Sequence, residues 1–320
     1  MADQRPGTPA SFAFTDATTD YEIQLESLNQ WQLAWRRFKK HRLAVIGTVI
    51  FLVMVAVGVI GPFLMPYDPT DIPQPNQIVY AGRPPSWITW NWNPVLLMGE
   101  TGRLQRDVFQ LVVNGARLSL AIGIIATIIS VVIGAIWGGV AGFFGGRLDS
   151  VMMRVVDAIL SLPLLFVILV ASKFLGSGSW VTVTLIFGLL GWAGLSRLVR
   201  SQFLSLREEA FVDAARAVGV SNTRIIFRHI LPNSLSPIIV AATLSVAAVI
   251  VSEAFVSYLG FGVDVSQPTW GNVLSNSLEF ITQGNWWWPF FPGAAIVLTV
   301  LGINFMGDGL RDALDPRSRL

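Results

Sequence analysis

Leu43 to Met65 is a run of 23 residues without one charged side chain. At ~1.5 Å of rise per residue, a helix of that length crosses the ~30 Å apolar core of a bilayer with some tilt. Pro66, Asp68 and Pro69 end the run. Further apolar runs follow at about 118–144, 156–175, 180–196, 235–258 and 289–306, which makes six spans. Inside a bilayer every backbone N–H and C=O has to bond within the protein, so segments of this kind are helices. Composition agrees with this reading. Apolar residues make up 53% and charged residues 13%, against roughly 25% charged in soluble domains. The mean hydropathy is +0.59. The expected fold class is an all-α polytopic membrane protein.

Residues 1–27 are polar and without helical or strand period, and are expected to be a disordered tail. From 28 to 42 the character changes. Leu28, Trp31, Trp35 and Phe38 recur three or four apart, and Arg36, Arg37, Lys39, Lys40 and Arg42 crowd the end. That pattern fits an amphipathic helix in the membrane interface, with aromatics among lipid headgroups and cations near phosphates. The membrane domain proper is expected over 43–320. Residues 67–115 form a long polar and aromatic stretch whose Trp87, Trp90 and Trp92 read as interfacial anchors. Gly134, Gly138 and Gly142 repeat every fourth residue in the second span, a face on which another helix can approach closely. Pro163 should kink the third span.

Six spans put both termini on one side. Of the 22 Lys and Arg residues, only Arg83, Arg103, Arg106, Arg117 and Lys173 fall on the side opposite the termini. The positive-inside rule therefore places both termini, and the loop at 197–234, in the cytoplasm. The expected location is the cytoplasmic (inner) membrane of a bacterium or archaeon.

Several chemistries are missing. There is no cysteine. The lysines, Lys39, Lys40 and Lys173, follow Phe, Lys and Ser, so no phosphate-binding G-x-x-x-x-G-K-[ST] loop exists. A nucleotide that powers this chain must sit on another chain. His41 and His229 both fall at cytoplasmic positions, which leaves no catalytic or metal-ligating set inside the membrane. No nucleic-acid partner is indicated. Glu253 is a candidate pathway residue, against the plainer reading of a carboxylate satisfied by its own helix neighbours. Trp270, in the loop at 260–288, is placed with it on the outer side.

The longest charged interval between spans runs from Arg207 to Asn233. Its first half favours a helix, with Glu208, Glu209 and Asp213 early and Arg216 late. Phe211, Ala214, Ala215 and Val218 are expected on one side. Gly219 is a natural stop, and Ser221 is placed to cap a second helix over Asn222–Ile230 that Pro232 parts from the fifth span. Two readings stand level: an interfacial helix packed on its own bundle, or a docking helix for a cytoplasmic partner.

The spacing Asp213-Ala214-Ala215, Gly219, Leu231-Pro232 resembles the E-A-A…G…L-P signature of ABC importer permeases, with Asp in place of Glu. The segments Gly115–Gly123, Ser252–Gly262, Pro268–Asn272 and Gly307–Pro316 are similar to the dipeptide and oligopeptide class of that family, specifically its C-type subunit. One run departs from the pattern: 99–107 is a residue longer than usual and carries Gln105 where glycine is expected. The resemblance implies the type I importer permease fold. It also implies a second permease chain as heterodimer partner, two cytoplasmic ATPase chains that hold the ATP and Mg2+, and an extracytoplasmic binding protein. By position it makes Phe211 and Val212 apolar plugs into an ATPase cleft, Asp213 and Arg216 polar partners, and Gly219 the turn. Glu209, Ala214, Ala215, Leu231 and Pro232 complete the coupling region. Alternative cargoes within the class are nickel, glutathione or an opine. From a different class, the alternative is an independent secondary transporter.

Overall fold

The computed structural model describes residues 30–67, 82–88, 97–101, 106–175 and 178–315. The expected tail at 1–27 lies outside them, as do Trp90 and Trp92. The described chain is built from helices α1 (Gln30–Lys40), α2 (Arg42–Leu64), α3 (Val108–Phe144), α4 (Gly146–Ser161), α5 (Leu164–Leu175), α6 (Trp180–Leu190), α7 (Trp192–Leu206), α8 (Ala210–Ala217), α9 (Asn222–Ile225), α10 (Leu231–Tyr258), α11 (Trp270–Ile281) and α12 (Trp287–Leu314). A π-helical turn, Ile226–Ile230, joins α9 to α10. Five stretches are long and apolar enough to cross a membrane: α2, α3, α6 with α7, α9 through α10, and α12. The pair α4 and α5, bent by 85°, is long and apolar enough only when taken together, and then counts as a sixth.

The order of spans follows the sequence expectation, but the helices run well past the apolar runs. α3 starts at Val108, not near Leu118. Its polar first turns are used, because Gln110 Nε2 donates to Pro66 O (2.6 Å) and Asn114 Nδ2 to Met65 O (3.0 Å) at the end of α2. Those carbonyls lie at and just beyond a helix terminus, where intrahelical partners run out. The stretch 145–155, expected as a loop, is helical within α4. Pro163 does more than kink the third span: it ends α4. Leu162, held out of the helical region by the following proline, is extended at φ −84° and ψ 135°. α7 continues to Leu206, so Arg197 and Arg200 stand on a helix. There Arg197 pairs with Asp157 and Arg200 pairs through two nitrogens with Asp149, both partners on α4. α12 carries the charged residues up to Arg311 and Asp312 on its last turns.

Pro232 does not part the second loop helix from the span. Helix runs through it, and Asn222–Tyr258 forms one continuous rod. A proline ring crowds the carbonyl four residues earlier. The π turn at Ile226–Ile230 widens the coil just before Pro232 and relieves that contact. α11 lies in the stretch 260–288, where the sequence pattern predicts a loop. It opens with a capping box, in which Thr269 and Asn272 each bond the other's backbone N–H.

α3 runs through the middle of the bundle. On one side it packs with α10, α11 and α12 around Trp270, and on another with α5, α6 and α10. Towards its C-terminus it packs with α7, α8 and α9. Gly134, Gly138 and Gly142 lie along α7, and a Cβ on Gly142 would stand 2.7 Å from both Arg200 O and Phe203 Cβ. α1 is not simply afloat in the headgroup layer: Ala34 and Phe38 are buried against α2 and α12 in a cluster with Ala44 and Ala313. Trp35 faces outward, with Lys39 Nζ 5.0 Å above its ring.

Asp107 caps α3, its carboxylate accepting from the Phe109 N–H at 2.8 Å. Burial pushes its pKa up from 3.8 to about 6, against the pull of the Phe109 and Gln110 amides. The folded chain therefore holds this proton more tightly than the unfolded one. The stability gained is full below pH ~4 and lost as pH rises through ~6.

Two predictions follow from these contacts. Gly142→Ala forces a shift in the α3–α7 seam and should cost about 1–3 kcal/mol, read as a fall in melting temperature of the purified chain in detergent. Gly293→Ala, where a Cβ meets nothing within 4 Å, should leave that temperature unchanged or slightly raised. For pH, Asp107→Asn keeps a capping oxygen without the titration. Between pH about 4 and about 6 the melting temperature of the unmodified chain should fall relative to this variant, and the difference should be flat at higher pH.

Candidate functional site

α8 packs against the C-terminal end of α3 and against α7 and α9. Glu209, extended at φ −78° and ψ 143°, occupies its N-cap position without a side-chain bond, and its carbonyl accepts from the Val212 N–H at 2.8 Å. The helix ends at Gly219, whose φ of +78° is open to glycine and strained for other residues. The Gly219 N–H bonds Arg216 O (2.9 Å) and the Val220 N–H bonds Ala215 O (3.0 Å). This crossed pair is the Schellman closure, which satisfies the last carbonyls and turns the chain sharply.

Helical spacing divides the residues between two faces. Val212 and Ala215, three apart, point inward and are buried with Phe143, Phe203, Ile225 and Ile230. Phe211, Ala214 and Val218 point outward. Phe211 is 40% exposed and Val218 79%, and Phe227 of the π turn is 65% exposed nearby in sequence. Two expectations are corrected here. Val212 is no outward plug, because its side chain has 0% exposure and fills the core of its own bundle. Ala215 shares that inner face and not the face of Phe211. Sequence spacing placed these residues on a helix but could not say which side met the bundle.

Asp213 and Arg216 pair at 3.2 Å on the exposed side. Both are about half exposed, and such pairs contribute only ~0.3–0.5 kcal/mol. Leu231 is half-buried beside the same core as Val212, while Pro232 is exposed. α8, α9 and the π turn share one packed cluster with α3, α7 and the start of the rod that contains α10. Arg207 strengthens this corner and was missed at the sequence level. Its Nη1 donates to Gly142 O (3.2 Å) and Phe143 O (3.4 Å), closing the C-terminus of α3. The glycines that end α3 were visible, and an arginine is what a helix C-terminus favours. The long separation in sequence hid the pairing.

Glu253 and Trp270 meet at the other end. Glu253 is fully buried on α10, accepting from Ser257 Oγ at 2.7 Å and Ser119 Oγ at 3.3 Å. Ser119 Oγ also accepts the Trp270 N–H at 3.1 Å, and Trp270 Nε1 donates to Val112 O at 3.0 Å. The carboxylate is satisfied by helix neighbours and ties α3, α10 and α11 together. Trp270 has 0% exposure, its ring packed in the core shared by α3, α10, α11 and α12. Among the described residues, no three His, Asp or Glu side chains come together as a metal site.

Known proteins share this architecture. The family described as "binding-protein-dependent transport system inner membrane component" matches residues 130–320, and "N-terminal TM domain of oligopeptide transport permease C" matches 29–85. The chain is 40% identical over 297 residues to the dipeptide transport system permease protein DppC of Bacillus subtilis, covering 93% of this chain and 89% of the relative. It is 36% identical over 298 residues to the oligopeptide transport system permease protein OppC of the same organism, with 93% of each covered. Among solved structures, a chain of the MetNI methionine ABC transporter in inward-facing conformations is similar, with a TM-score of 0.50 and 19% identity. The match covers 64% of this chain and 96% of that one, and at such identity it speaks to fold alone.

The bundle of bent and continuous spans, with α8 packed against the end of α3, is the type I ABC importer permease fold. With family models and close relatives matching almost from end to end, the chain belongs to the binding-protein-dependent transport system inner membrane components.

Proposed function

We propose that the chain is the C-type membrane-spanning subunit of an ATP-driven importer of dipeptides or oligopeptides. The observation that carries this reading is α8: an apolar outward face of Phe211 and Val218 on a helix whose inward face is locked into the core that leads to α10. Exposed apolar side chains beside a charged pair on a helix packed into the bundle favour a protein partner. The chain has no phosphate loop of its own, so that partner supplies the nucleotide chemistry. The assembly is a second permease chain, two ATPase chains carrying ATP and Mg2+, and an extracytoplasmic binding protein. The names of the relatives, dipeptide and oligopeptide permeases at 36–40% identity, favour peptide as cargo.

The motion follows from the packing. Closure of the ATPases pulls on the exposed face of α8. Val212 and Ala215 pass the displacement to Ile225 and Ile230, and so to the continuous rod of α9 and α10. Arg207 ties the same movement to the end of α3. Access then alternates by rocking of packed helices, not by local unfolding. The distribution of Lys and Arg supports a cytoplasmic side for α8 and both termini.

Phe211→Asp removes the apolar contact from an exposed position, and Gly219→Pro forbids the positive φ of the turn. Each should lower ATP-dependent peptide uptake in membrane vesicles by more than ten-fold, with co-purification of the ATPase chains reduced and the amount of inserted chain unchanged. Normal uptake in both variants would sink the docking role of α8.

A further inference from the structure

A cavity of about 330 Å3 lies between α3, the junction of α6 with α7, and α10, within the spanning part of the bundle. It falls at the small end of the ~300–1,000 Å3 usual for ligand sites. No charged residue lines it. Along α10, Ala241, Ser245, Ala248 and Ser252 recur at intervals of four, three and four residues and so share one face of the helix. Opposite them, α3 contributes Thr127 and Ser130. Gly194 on α7 leaves the wall open, since a Cβ there would meet nothing within 4 Å.

The hydroxyls decide what the cavity can take. Thr127 is 3% exposed, and its hydroxyl, itself closed off from the cavity space, has no hydrogen-bond partner among the described residues, so a turn about χ1 is what brings it to the cavity. Ser130 Oγ donates to Gly188 O (2.9 Å) and Ser245 Oγ to Ala241 O (2.8 Å), which leaves both oxygens able to accept. A lipid tail offers neither donor nor acceptor, so the hydroxyls along this wall would gain no partner from lipid. Polar side chains at this depth face a cavity or a neighbouring protein surface.

We propose that this cavity is the chain's share of the peptide path, and that Thr127, Ser130 and Ser245 pair with backbone amides of the peptide in transit. The inference rests on the peptide-importer reading above. An amide brings one donor and one acceptor, and the three hydroxyls supply both. Every peptide carries that group whatever its sequence. A lining without charge pairs with it and does not select on the charge of cargo side chains.

The test uses the chain's lack of cysteine. Ser245→Cys, Ala248→Cys and, as a control on the outer face of α2, Leu52→Cys (58% exposed in the native residue) are made singly in the assembled complex. Each complex, in vesicles of both orientations, is treated with a membrane-impermeant trimethylammonium thiosulfonate. The complex without added cysteine corrects for thiols on partner chains. Modification at 245 and 248 should run at least ten-fold faster than at 52 and should slow at least three-fold when trialanine is supplied with ATP and binding protein. Rates at 245 and 248 no greater than at 52 would mean that lipid or the second permease chain covers the cavity, and would overturn the proposal. Fast modification indifferent to trialanine would overturn it too. Uptake of labelled trialanine by the unmodified complex is measured alongside. If that uptake is present and either negative result is found, this inference fails alone; if uptake is absent, the peptide-importer reading fails.

Discussion

The close approach of α3 and α7 governs the rest of this bundle. In lipid, two helices gain nothing from hiding apolar surface, since the tails are equally apolar. They gain from dispersion between atoms in contact, and that requires backbones to come near. Gly134, Gly138 and Gly142 give α7 such a surface. Once α7 is seated there, its charged end meets α4 through Asp149 and Asp157, and Arg207 reaches the last carbonyls of α3. The position of α8 follows directly, because only Arg207, Glu208 and Glu209 separate it from α7.

α8 then serves two surfaces at once. Its inner residues, Val212 and Ala215, belong to the core of the bundle, and its outer residues, Phe211 and Val218, do not. A helix of only eight residues has little stability of its own. Its shape is held by the Schellman closure at Gly219 and by burial of one face. The buried face is packed with Ile225 and Ile230.

At the opposite end the same logic uses polar groups. A carboxylate buried in the bundle would be costly alone. Ser119 and Ser257 satisfy Glu253, and Ser119 in turn receives the Trp270 N–H. The start of α11 is thereby fixed onto α3 and α10, and Trp270 fills the space between them. The network fixes the end of the bundle furthest from α8, where α3, α10 and α11 meet.

Local sequence determined the class, because a charge-free run of 23 residues has no stable place but a bilayer, and it located the apolar runs that the five long helices and the bent pair α4–α5 contain. It also marked the glycine face of α3 and the turn at Gly219, since both depend on residue type at fixed spacing. The rest belonged to tertiary contacts. Helix ends ran past the apolar runs because Gln110, Asn114, Arg197 and Arg200 found partners on other helices, which no local pattern reveals. Helix continued through Pro232 because a π turn made room for it. Val212 turned inward and Phe211 outward because the bundle lay on one side of α8. An amphipathic pattern states that a helix has two faces; only the neighbours decide which of them is buried.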